Sequence, residues 1–264
     1  MNTHMENLKN IELFLLDMDG TFYLGDKLMD SSRVFLERMK ETGGQYAFLT
    51  NNSSKSGLDY VKKLKNMGVE CGPEKIITSG EASAVYLNKR APGAGLYVVG
   101  TPSLEEEFRR AGFVLTDESP DYAVLGFDTT LTYEKLRKLC DFARSGVKYV
   151  ATHPDFNCPV PGGWIPDCGA MIAFVKASTG REPDVVIGKP NCHILDAALA
   201  KFKQEKNKCA IVGDRLYTDI ALGVNNGVTS ILVLSGETRR ADLENSTIKP
   251  DYVFSDLGEL AARL

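Results

Sequence analysis

Runs of apolar residues recur along the chain, separated by stretches whose apolar positions return every three or four residues, the signature of buried strands alternating with amphipathic helices. Strands are predicted at 13–16, 46–49, 76–77, 96–99, 113–115, 122–125, 148–150, 185–187, 209–212, 230–234 and 252–254. Helices are predicted through Val34, Phe35, Leu36 and Met39, through Tyr60, Val61, Leu64 and Met67, and at 82–87, 102–111, 132–143 and 168–175. Two more follow, through Ile194, Leu195, Ala198 and Leu199, and at 257–264. Strand followed by helix, repeated, implies an α/β fold with a Rossmann-like parallel sheet. The pattern restarts at Gly95, so residues 80–181 read as an inserted α/β cap between two core segments, 1–79 and 182–264.

The first strand ends in a change of chemistry. Leu13-Phe14-Leu15-Leu16 gives way to Asp17-Met18-Asp19-Gly20-Thr21, two carboxylates one residue apart. On extended backbone they point to one side while Met18 turns away. Like charges ~4 Å apart repel by roughly 4 kcal/mol at an effective dielectric of about 20, so such a pair holds a hard cation or keeps one acid protonated. Asp-Gly also marks an ordinary surface turn, and the segment alone leaves that reading open. Three more strands end in polar residues: Thr50-Asn51-Asn52, Gly188-Lys189-Pro190, and Gly213-Asp214 with Asp219 five residues on. A single parallel sheet would gather all four ends along one edge, where open α/β sheets bind ligands. The segment from Thr21 to Asp26 reads as a small flap over the first strand end. Residues 153–167 read as a long irregular loop of fixed shape, with four prolines and the single tryptophan, Trp164.

Composition narrows the function. With 264 residues and 43% hydrophobic content the chain can build a sizeable core. Its net charge of -4 and the lack of a basic stripe argue against nucleic acid as a partner. The first residues lack the features of a secretory signal, and no apolar run approaches the ~18 residues of a membrane span, so a cytoplasmic protein without a membrane partner is expected. The six cysteines are scattered without a Cys-x-x-Cys pair, so disulfides are not implied. His153, Cys158 and Cys168 fit no common zinc spacing. His4 reads as a terminal residue and His193 as a polar surface position at a helix start.

Asp-Met-Asp-Gly-Thr, Leu-Thr-Asn-Asn, Gly-Lys-Pro and Gly-Asp-x4-Asp, in that order, resemble the four motifs of the haloacid dehalogenase superfamily of phosphotransferases. The insert, with its His-Pro-Asp and Gly-Gly-Trp-Ile-Pro-Asp-Cys-Gly-Ala runs, is similar to the α/β (type C2) cap of the para-nitrophenyl phosphatase-like branch. The resemblance implies a phosphatase of small phosphorylated metabolites, such as sugar phosphates or nucleotide monophosphates, working through an aspartyl-phosphate. It implies Asp17 as nucleophile and Asp19 as the acid that protonates the leaving oxygen and then activates water. It implies Mg²⁺ held by Asp17, the Asp19 backbone carbonyl and Asp214, with Asp219 a direct ligand or a support for one. Thr50, Asn51 and Asn52 would bind phosphoryl oxygens, and Lys189 would supply positive charge. The cap would select the substrate through Asp155, Trp164, Ile165 and Asp167. The two acids suit a hydroxylated substrate, and Trp164 suits an aromatic base or pyridine ring. Two other readings remain open: a phosphotransferase or mutase passing the phosphoryl group to another hydroxyl, and a non-catalytic phosphometabolite-binding regulator. The edge of the cap sheet offers a surface for pairing with a second copy.

Overall fold

The computed structural model describes residues 8–160 and 162–264. His4 and the amino-terminal leader reading lie outside the described residues, as does Pro161 of the cap loop. In chain order the strands are β1 (Leu13–Leu16), β2 (Tyr23–Leu24), β3 (Lys27–Leu28), β4 (Gln45–Thr50), β5 (Ile76–Thr78), β6 (Gly95–Val99), β7 (Val114–Leu115) and β8 (Tyr122–Leu125). They continue as β9 (Lys148–Ala151), β10 (Asn157–Val160), β11 (Gly163–Pro166), β12 (Val185–Val186), β13 (Cys209–Gly213), β14 (Thr229–Val233) and β15 (Tyr252–Phe254). The larger sheet has six strands in the order β15-β14-β13-β1-β4-β5, and β1 pairs in parallel with both β13 and β4. A second sheet, β12-β9-β8-β6-β7, has five strands, all parallel.

β1 is central in the larger sheet because both of its faces are covered, which is why its sequence is apolar without alternation. Phe14 meets Phe35 of the helix Asp30–Thr42 edge to face at 5.8 Å, and Phe22 meets Phe48 of β4 at 4.7 Å. Each such buried side chain contributes on the order of 1.5–3 kcal/mol. The five-stranded sheet has its own core, centred on Tyr149, Leu125, Val99 and Val175. Its helices Pro102–Arg110 and Tyr133–Arg144 begin at Thr101 and Thr132, whose hydroxyls accept from the Leu104 and Lys135 amides.

By contact density the chain divides into two compact units. One comprises the chain up to Leu49 with Lys63–Ile76 and Ala198–Leu264; the other comprises Thr50–Lys62 and Ile77–Ala197. Two expectations are corrected at this level. The strand at 185–187 does not return to the first sheet: Val185 and Val186 pair with Val150 and Ala151 of β9, so the strand end carrying Lys189 belongs to the five-stranded sheet. The pattern could not decide this, because two half-buried valines fit the edge of either sheet. Nor is the 153–167 stretch irregular. It folds as an antiparallel hairpin, β10 on β11, with Pro159 opposite Trp164 and Cys158 opposite Ile165. Its prolines hid this hairpin, since proline within a run argues against a strand unless its missing N–H faces away from the ladder. The expected flap is the short hairpin β2-β3.

Candidate active site

The acidic side chains form one group, all in the first unit. The Asp17 amide donates to the Val212 carbonyl at 2.8 Å, extending the β1-β13 ladder one residue and fixing where its side chain begins. Asp214 follows β13 directly, and Asp219 lies in a single π-helical turn, Leu216–Ile220, where the Arg215 carbonyl accepts from the Asp219 and Ile220 amides. One carboxylate oxygen from each of Asp17, Asp214 and Asp219 comes within 4.8 Å of the others. Asp214 accepts from the Glu237 amide at 2.7 Å and the Thr21 hydroxyl at 3.3 Å, and Asp219 accepts from the Arg215 amide at 3.2 Å. Two glycines make room for this crowding. A Cβ at Gly20 (φ +85°) or at Gly236 would collide with the Asp214 carboxylate.

Three converging acids, two of them almost wholly buried, carry more negative charge than their surroundings offset. Burial, then Asp17 and Asp219, push the Asp214 carboxyl up to about 7. Burial, with a smaller push from Asp17, raises Asp19 as well, against the pull of Lys63 and Arg215. Burial works against the charge of Arg215, but Asp17 and neighbouring groups hold it firmly protonated. Its Nε lies 3.0 Å from Glu237 Oε2, an ion pair without hydrogen-bond alignment. An all-oxygen donor set of this kind, with space kept open by glycine, fits a hard divalent cation such as Mg²⁺.

Lys63 and Arg215 are charged neighbours of Asp19 that the sequence reading missed. Arg215 adjoins Asp214 and was in plain view. Lys63 comes from a helix more than forty residues after Asp19, and there it spans Asp26 at 3.7 Å and the Tyr23 ring at 4.1 Å, so only the fold reveals it.

The remaining motif residues lie in the second unit and form a separate group. Thr50 Oγ1 accepts from the Asn52 amide at 3.2 Å, which leaves its proton available to donate. Asn51 is committed on both sides: its Oδ1 accepts from the Lys189 amide at 2.7 Å, and its Nδ2 donates to the Lys189 carbonyl at 2.9 Å and to Asp155 Oδ2 at 3.0 Å. Asn52 Oδ1 accepts from the amide and hydroxyl of Ser54. Both asparagine side chains thus brace the loop around Thr50 and Lys189. Lys189 is buried, at 2% exposure, an unusual place for a lysine.

The expected substrate contacts of the cap separate by environment. Trp164 is 60% exposed on the hairpin, with Phe156 exposed nearby. Ile165 packs on the core of the five-stranded sheet, as strand alternation requires of the neighbour of an outward Trp164. Asp167 is buried, accepts from the Cys168 amide at 2.6 Å as the cap of the helix Cys168–Thr179, and pairs with His153 Nε2 at 2.8 Å. Burial opposes charge on His153, but the charge and hydrogen bond of Asp167, with Asp155 behind, raise its pKa above the ordinary value. Because the folded value is raised, this pair stabilises fully below about pH 6.5 and its contribution is lost as pH rises through the folded value. Asp167→Ala is expected to cost about 3 kcal/mol or more in urea unfolding near neutral pH and less in alkali. A cost that did not shrink with rising pH would remove the charged pair from this account.

The motif geometry agrees with the comparisons with known proteins. The haloacid dehalogenase-like hydrolase family matches residues 14–114, and a second, HAD-hydrolase-like, family matches 186–260. The chain belongs to the haloacid dehalogenase-like hydrolase family, in its para-nitrophenyl phosphatase-like branch. It is similar to the structure of a 4-nitrophenylphosphatase from Thermotoga maritima, 52% identical, covering 97% of this chain and 98% of that one with a TM-score of 0.95. It is 36% identical to an acid sugar phosphatase of Staphylococcus aureus, over 97% of this chain and 99% of the relative. A glycerol phosphate phosphatase from Mycobacterium tuberculosis, solved with calcium, is 28% identical, with a TM-score of 0.88 over 96% of this chain and 76% of that one.

Proposed function

We propose that this family member is a Mg²⁺-dependent phosphatase of small phosphorylated metabolites that works through an aspartyl-phosphate on Asp17. The observation that carries the reading is the convergence of Asp17, Asp214 and Asp219 at the ends of two adjacent parallel strands, with Asp19 two residues from Asp17. Asp17, the Asp19 backbone carbonyl and Asp214 would hold Mg²⁺, with Asp219 bracing Arg215 or joining the set. When bound, the ion offsets carboxylate and phosphoryl charge together, which a phosphate ester needs before an anion can approach it.

The chain's own groups then divide the chemistry. An Asp17 oxygen attacks phosphorus, and the bond to the leaving oxygen breaks as that oxygen takes a proton from Asp19. Asp19 is suited to this because burial raises its pKa and keeps a proton in reach at milder pH. In the second half Asp19 takes a proton from water, whose oxygen attacks phosphorus and returns Asp17 as a carboxylate. The Thr50 hydroxyl donates to a phosphoryl oxygen, and Lys189 supplies the positive charge that its burial makes effective.

The core groups contact only the phosphoryl end that every monoester shares, so discrimination falls to the insert. Asp167 and Ile165 face inward, which leaves exposed Trp164 as the strongest specificity candidate on the hairpin. Trp164→Ala is expected to reorder kcat/KM across a panel of sugar, polyol and nucleoside phosphates while para-nitrophenyl phosphate changes little. An unchanged ranking would assign the hairpin a purely structural role. Activity without transfer to added alcohols or sugars separates this reading from a phosphotransferase, and turnover itself separates it from a regulator.

A further inference from the structure

The proposed chemistry leaves unused a connected set of polar groups in the second unit that leads to the Lys189 loop: Ser79, Thr152, His153, Asp155 and Asp167. His153 is completely buried and held from both ring nitrogens. Nε2 meets Asp167 Oδ1 at 2.8 Å, and Nδ1 meets the Thr152 hydroxyl at 2.9 Å and, more distantly, the Ser79 hydroxyl at 3.4 Å. Ser79 Oγ donates to the Asn51 carbonyl. Asp155 accepts from Asn51 Nδ2, and Asn51 in turn grips both the amide and the carbonyl of Lys189.

The backbone adds a second connection. The Gly188 amide donates to the Thr152 carbonyl at 2.8 Å, and a Cβ at Gly188 would meet both the His153 Cβ and the Asn51 side chain. The residue before Lys189 thus rests directly on His153 and Asn51. Both ring nitrogens of His153 find side-chain partners rather than backbone carbonyls. Asp155, Asp167 and Lys189 all act on it electrostatically, and it sits between the cap of the hairpin's following helix and the loop that fixes Lys189.

We propose that His153 is a positioning residue for Lys189, holding the lysine's backbone in place through Asn51, Asp155 and Ser79 and tying it to the Trp164 hairpin through Asp167. The inference rests on the reading of Lys189 as the residue that neutralises phosphoryl charge. Tethering a lysine at both its amide and its carbonyl fixes the point from which its side chain reaches the phosphoryl group, and loosening that tether by even an ångström can cost about 100-fold in rate. The hairpin and the lysine are then one unit. A substrate group that moves the Trp164 strand changes the placement of Lys189 through Asp167 and His153.

A double-mutant cycle on the full chain with Mg²⁺ and para-nitrophenyl phosphate tests this. His153→Asn is expected to lower kcat by roughly 100-fold with little change in KM, because the lost effect is on placement at the reacting group. In the Lys189→Ala background the same change should add less than about twofold, since its only route of action has been removed. Losses that multiply, or a His153→Asn enzyme of normal kcat, would overturn the proposal. If His153→Asn does not fold, as judged by its melting transition, Asp155→Ala replaces it in the cycle. Rescue is then expected from Asp155→Asn, which keeps an acceptor for Asn51. Failure of Asp155→Asn to recover activity also counts against the tether. A fully active Lys189→Ala enzyme would instead overturn the role given to Lys189, and so separates failure of the functional reading from failure of this one.

Discussion

Asp17→Asn is expected to abolish phosphatase activity, lowering kcat by roughly 10⁴-fold or more while leaving the fold intact. The amide occupies nearly the same volume, and its backbone keeps the 2.8 Å bond to the Val212 carbonyl, so β1 and β13 stay in register. What disappears is an anionic oxygen able to attack phosphorus. The change also removes one negative charge from beside Asp214 and Arg215, so the variant should unfold no more easily than the parent. Circular dichroism and a denaturation midpoint measured beside the assay separate a dead enzyme from an unfolded one. Residual turnover within tenfold of the parent would remove Asp17 from the nucleophile's role.

The second large effect concerns charge rather than nucleophilicity. In metal-free protein the Asp214 carboxyl is pushed up to about 7 by burial and by Asp17 and Asp219. A folded pKa raised above its unfolded value gives a contribution that is complete below about pH 4 and is lost as pH rises to about 7. About three pH units at about 1.4 kcal/mol each set a scale of roughly 4 kcal/mol. In chelator, then, Asp214→Asn should match the parent at pH 4 and be more stable at pH 7.5. Mg²⁺ should reverse that order, stabilising the parent far more than the variant, because a ligand that binds only the folded state adds its binding free energy. Activity is expected to vanish in the variant. Thermal unfolding across pH with chelator and with Mg²⁺ reads the two stability effects and an assay reads the third; parallel pH curves in chelator would contradict the raised Asp214 carboxyl, and equal stabilisation of parent and variant by Mg²⁺ would contradict the acidic cluster as the cation site.

The acidic residues stood out in the sequence because Asp17 and Asp214 follow apolar runs directly and Asp19 and Asp219 come two and five residues after them. Strand length, glycine and carboxylate spacing are all local, so Asp17, Asp19, Asp214 and Asp219 could be named before any fold was known. The parallel α/β character of the larger sheet likewise follows from alternation of strand and helix, although its strand order does not. What could not be read was any feature that depends on which surface a short polar segment meets. That Asp167 caps a helix beside a buried histidine and that Asp155 holds Asn51 left no trace in the local pattern. Val185 and Val186 carried too little pattern to show which sheet they join. Lys63 gave no local sign at all, since its relation to Asp19 depends on a helix returning to the β2-β3 hairpin.

The central claim is that a phosphoryl group resides on Asp17 during turnover, and reductive trapping tests it most directly. Enzyme in excess over substrate, with Mg²⁺, is quenched at short times into borohydride, which converts an aspartyl-phosphate to homoserine, and the digested peptide spanning residue 17 is weighed. The account predicts homoserine at position 17, rising and then falling as free phosphate appears, and none in Asp17→Asn protein. Steady release of phosphate with residue 17 unmodified at every time sampled would mean that water attacks the substrate directly.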